Sequence, residues 1–148
     1  MAVAVTQKFE EMVLEIETST PGTFTRICGL TDVEVTRTSN IDTVEIPDCD
    51  DESLPHSLEK QVRSIEVSIS ASGVWAQQSW GTMSDWFYSG ATRNIRLRNT
   101  RALVGDLETE AGPALLANLS NSRTKGQKVT ATVEIQFDGT PTRTDRVA

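Results

Sequence analysis

The chain has 148 residues, is 37% hydrophobic but only 5% aromatic, and carries a formal charge of −7. That length suits one domain with its own core, and the absence of a Lys/Arg cluster interleaved with aromatics excludes a basic nucleic-acid-binding face. No stretch approaches transmembrane length, so no membrane anchor is expected.

Residues 1–9 (MAVAVTQKF) lack a basic start and an apolar run of signal-peptide length, which predicts synthesis in the cytosol, with Cys28 and Cys49 as free thiols. Residues 9–17 alternate Met12, Leu14 and Ile16 against Glu11, Val13, Glu15 and Glu17 and predict a first strand, closed by the turn Pro21-Gly22. Residues 23–28 predict a second strand. Gly29 then breaks the run, and residues 30–38 predict a third, with Val33 and Val35 inward and Asp32, Glu34 and Thr36 outward. Residues 39–60 have no clear period, hold Pro47, Pro55 and the acids Asp48, Asp50, Asp51 and Glu52, and predict a long loop in which 43–46 is at most a short ribbon.

The most informative stretch is 62–90. Ile65, Val67 and Ile69 alternate with Ser64, Glu66, Ser68 and Ser70, the period of a half-buried strand. Beyond Gly73 the period lengthens: Trp75, Trp80, Met83, Trp86 and Phe87 recur at three- and four-residue steps and predict a helix with these residues as its core stripe, capped by Gly90. Further strands are predicted at 92–99, 102–110, 114–120 and 127–137, and 139–148 is expected to be a loose tail. About eight strands and one amphipathic helix predict a mainly β domain over 1–148: two antiparallel sheets in a sandwich or open barrel with a flanking helix.

Charge is uneven along the chain. Asp and Glu far outnumber Lys and Arg before residue 75 and fall slightly below them after it, a balance suited to head-to-tail contact between copies. Catalysis has little to work with. The one histidine, His56, is near Cys49 in sequence, but the surrounding carboxylates disfavour the thiolate that a Cys-His pair needs. Asp48, Asp50, Glu52 and Glu59 match ligand positions of a calcium loop, but Ser53 occupies the position where the sharp turn needs glycine. Asn118-Leu119-Ser120 is a glycosylation triplet by form only. The residues thus predict neither an enzyme nor a cofactor site.

Gly22 to Leu30 (GTFTRICGL) after a first strand, the long acidic connection, 68–73 leading into the helix, the turn at Lys125-Gly126, and the closing strand Val129, Val133, Ile135, Phe137 ending at Gly139 form a recognisable order. It resembles that of the major tail tube proteins of long-tailed non-contractile phages and of gene transfer agents. The resemblance implies a virion tail subunit, made in the host cytoplasm, whose sixfold rings stack head to tail into a tube. DNA passes through the negative lumen without specific binding; tail tip, tape-measure and tail terminator proteins are the implied partners. The 39–60 loop would reach the adjacent ring. The candidate lumen residues are then Asp32, Glu34, Ser64, Glu66 and Ser68, and the inter-ring loop acids Asp48, Asp50, Asp51 and Glu52 are expected to meet Arg93, Arg96, Arg98 and Arg101 of a neighbour. Two alternatives are a tube protein of a contractile tail or secretion system, and a monomeric β-sandwich binding module.

Overall fold

Period-two patterning is realised as eight antiparallel strands in the computed structural model, which describes residues 2–148. In chain order these are β1 (Met12–Glu17), β2 (Phe24–Arg26), β3 (Leu30–Ile46), β4 (Ser57–Val74), then the helix α1 (Gln77–Ser89), β5 (Arg93–Asn99), β6 (Leu107–Ser122), β7 (Thr130–Phe137) and β8 (Thr142–Asp145). A single 3-10 turn, Phe9–Glu11, precedes β1.

The expected mainly β, sandwich-like fold with one flanking helix is present, and its two layers are halves of a single sheet. The strands hydrogen-bond in one continuous sheet ordered β2-β1-β5-β6-β7-β4-β3, with β8 also on β6. It is sandwich-like because β6 crosses between its halves: residues 109–114 pair with β5, and 114–122 pair with β7. A bulge between Leu116 and Asn118 supplies the bend. The curl brings β3 over β6, three strands away in the sheet, so that a half-exposed Arg37 forms an ion pair with Glu110 between the halves.

Between the halves lies a core of Leu14, Ile16, Ile69, Ile95, Val133 and Ile135, closed by Met83 and Trp86 from α1. Alternation is cleanest in β7, where Ala131, Val133 and Ile135 are buried and Thr132, Glu134 and Gln136 exposed. Gly90 ends α1 in the left-handed conformation at φ 65°. Gly73 is required by a close approach: a Cβ there would lie 2.2 Å from the Gly29 carbonyl oxygen, just where Val74 donates its N–H to that oxygen.

Three other boundaries differ from the sequence expectation. Residues 39–60 are mostly ordered hairpin, since β3 and β4 stay paired as far as Ile46 with Ser57 and only 47–56 form the connecting tip. Residues 102–110 and 114–120 do not make two strands; β6 begins at Leu107 and runs through Gly112-Pro113. Part of the expected loose tail, Thr142–Asp145, pairs with β6 as β8.

Candidate functional site

The four strands β3, β4, β7 and the second half of β6 present one uniform outer face. Register places Asp32 beside Ser72 and Thr132, Glu34 beside Ser70 and Glu134, Thr36 beside Ser68 and Gln136, Thr38 beside Glu66, and Asn40 beside Ser64. The five candidate lumen residues Asp32, Glu34, Ser64, Glu66 and Ser68 therefore share this face. Glu134 belongs with them, and its alternation in β7 is the signal that reveals it. No Lys or Arg occupies any of these positions. Apart from Leu115 beside Gln136, the face consists of carboxylates, hydroxyls and amides, which repel phosphate and offer it no counterion-releasing contact.

The same strands keep two long unpaired edges. Among the described residues β3 pairs only with β4, and β6 from 115 to 122 pairs only with β7. Beyond the bulge at Asn40/Ile41, the β3–β4 hairpin leaves the core as a two-stranded arm. Six paired positions carry it about 20 Å outward, and its apolar side chains remain uncovered: Ile41 is 55% exposed and Val62, its cross-strand partner, 53%.

At the arm tip the Asp48 carboxylate accepts the backbone N–H groups of Asp50 and Asp51 at 2.8 and 3.0 Å, and Asp51 accepts the N–H and hydroxyl of Ser53 at 3.0 and 2.5 Å. These are Asx-type turns. The hydrogen bonds from Asp50 and Asp51 hold Asp48 below the ordinary 3.8, and those from the Ser53 hydroxyl and N–H do the same for Asp51. Depressed carboxyl pKa values favour the folded tip above the ordinary value, and that preference is lost as pH falls through the lowered values. His56 Nδ1 lies 3.6 Å from Glu45 rather than in a cysteine pair. Among the described residues no three His, Cys, Asp or Glu side chains stand together as a metal-holding set.

The four candidate arginines divide. Arg96 is held within the chain, bonded to the buried Glu15 at 3.0 Å and stacked 4.2 Å above the Phe24 ring. Arg93 donates to the Glu17 carbonyl oxygen at 2.6 Å. Arg98 and Arg101 have no carboxylate within ion-pair distance among the described residues. Substituting Arg96→Met strips a buried carboxylate of its cation and is expected to cost about 3 kcal/mol, read as a fall in the urea midpoint. The added change Glu15→Gln recovers much of the loss, whereas an unchanged midpoint in the single variant refutes the structural role of the pair.

The helix stripe is also divided. Met83 and Trp86 are buried, but Trp80 and Phe87 are exposed, and Trp75 precedes the helix and meets Trp80 edge-on at 5.6 Å. The stripe is wider than one core can cover.

Comparison with known proteins shows the family and the fold. The family profile described as Phage tail tube protein matches residues 6–143. Among solved structures, a chain from the tail of an empty GTA particle, refined helically with C6 symmetry, superposes with a TM-score of 0.73 at 16% identity, over 94% of this chain and 99% of that one. The SPP1 tail tube gives 0.70 at 11% identity, covering 97% and 81%. The tube terminating cap of the anti-feeding prophage gives 0.62 at 14%, covering 99% and 95%. No curated protein matches the sequence.

Proposed function

The chain belongs to the phage tail tube protein family, and from that premise we propose that this structural tube subunit closes into sixfold rings that stack head to tail around an acidic lumen in the virion tail. The observation that carries the reading is the outer face of β3, β4, β7 and β6, where Asp32, Glu34, Glu66 and Glu134 stand among hydroxyls and amides without a cation. Turned inward, this face lets DNA slide without adhesion. The open edge of β3 in one copy pairs with the open edge of β6 in the next, which removes both edges and repeats as a heterologous contact until the ring closes. The arm reaches the adjacent ring. Its tip acids Asp48, Asp50, Asp51 and Glu52 meet cations of that ring; Arg98 and Arg101 remain candidates, and Arg123, Lys125 and Lys128 around the β6–β7 turn join them. That turn lies at the end of β4 opposite the arm, because Thr130 pairs with Val74, the polarity that head-to-tail stacking requires. The chain carries no catalytic step or cofactor in this role. Tail tip, tape-measure and terminator proteins are its partners at the tube ends and in the lumen.

Negative-stain electron microscopy of purified protein across concentration and salt tests the reading. Rings or hollow tubes are expected, if necessary after a preformed tail tip is added, and a strict monomer under all of these conditions overturns it. The lumen assignment has its own test. With Glu34→Lys, Glu66→Lys and Glu134→Lys together, tubes are expected to retain DNA in a co-sedimentation assay, with retention falling steeply as salt rises. Lysine-bearing tubes that ignore DNA place this face elsewhere.

A further inference from the structure

One flank of the curled sheet carries apolar surface that the core does not use. Trp80, Phe87 and Tyr88 lie on one stripe of α1; Trp80 is 51% and Tyr88 83% exposed, and the Phe87 and Tyr88 rings meet edge to face at 5.4 Å. Three large aromatics on one exposed helix face form the kind of patch that marks a contact. The stripe stands beside β6, against which α1 packs, and Trp80 shares a small cavity with Leu119 of that strand. From 115 to 122 the outer edge of β6 is open, so a strand pairing there passes beside Trp80.

The other open edge, that of β3, also has a cleft beside it. Between β1 and the start of β3 lies a 330 Å³ cleft lined by Phe9, Met12, Leu30 and Val33, with Glu10 and Arg26 also on its wall, next to the open edge of β3. An aromatic ridge beside one open edge and a largely apolar groove beside the other are brought face to face when those two edges pair between copies.

We propose that the aromatic face of α1 in one copy seats in the β1–β3 cleft of the next copy in the same ring, sealing the joint where the edges of β6 and β3 pair. The inference rests on the tube reading and adds to it the side chains that lock neighbours together. Edge pairing sets register along the joint, while the desolvated aromatics supply much of the affinity.

The test compares wild-type protein with a variant carrying Trp80→Ser, Phe87→Ser and Tyr88→Ser, by sedimentation and electron microscopy. The variant is expected to melt near the wild-type temperature yet to need more than about tenfold higher concentration to assemble, in line with the loss of interface anchors. Assembly at the wild-type concentration overturns the inference while leaving the tube reading intact. Wild-type protein that stays monomeric with a tail tip present overturns the tube reading and this inference with it. Tyr88→Lys alone, at a side chain already in solvent, keeps the test open should the triple variant be poorly folded: it too is expected to raise the assembly threshold, and an unchanged threshold counts against the contact.

Discussion

Trp86→Ala is expected to lower stability by about 3–5 kcal/mol, the range for removing a large aromatic from a packed core. The indole is 2% exposed, belongs to the cluster of Leu14, Ile69, Ile95 and Ile135, and donates its N–H to the Ala91 carbonyl oxygen at 3.0 Å. Truncation therefore opens a cavity between helix and sheet and leaves a carbonyl acceptor without its donor. Urea unfolding checks the magnitude, and the melting temperature should fall by roughly 10 °C for a domain of this size. Trp86→Phe fills part of the space and is expected to lose markedly less. An alanine variant within about 1 kcal/mol of wild type, well below the usual core cost, means that α1 does not close the core.

The same tryptophan shows what the sequence makes legible. Wherever one face of an element is buried, its period is visible: Ala131, Val133 and Ile135 identify β7, and Met83 with Trp86 and the Gly90 cap identify α1. Where burial stops, the period misleads. Trp80 and Phe87 continue the helical stripe, but the chain's own core ends before reaching them. The arm is obscure for the opposite reason: Ile41 and Val62 share one face, Val44 and Ile46 lie on the other, and the bulge at Asn40/Ile41 shifts the register midway. A side chain that its own chain's core does not cover leaves no core-facing alternation to read. β8 is all polar, Thr142–Asp145, and is held by backbone pairing alone.

Pro113 hides β6 differently, since a proline preceded by glycine reads as a turn. Its carbonyl accepts the N–H of Asp138, so its N-side, where the N–H is missing, faces the β7–β8 connection, where the ladder is already interrupted. The acidic face was legible from the alternation of Asp32, Glu34 and Glu66. Its extent was not, because the register that adds Glu134 depends on a contact between strands far apart in sequence.

Ile41→Asp with Val62→Asp is expected to abolish tube formation while leaving the monomer's melting temperature nearly unchanged. Both side chains are half in solvent within the single subunit, so replacing them removes little intramolecular burial, and surface changes of this kind usually stay within about 0.5 kcal/mol. A two-stranded ribbon is at best marginally stable by itself in water. This one also bears Val44, Ile46 and Leu58 uncovered, which argues that it is completed by a surface outside the chain. Two carboxylates placed in that contact would be desolvated without partners, a penalty repeated at every subunit of a ring. The expected picture in negative stain is monomers or isolated rings without stacking. Charge reversal of Asp48, Asp50, Asp51 and Glu52 is expected to be milder, weakening stacking at low salt and less so at high salt, because exposed charges are screened. Tubes of normal length from the doubly substituted protein would mean that the arm lies free along the outside and that the rings are held by their end faces alone.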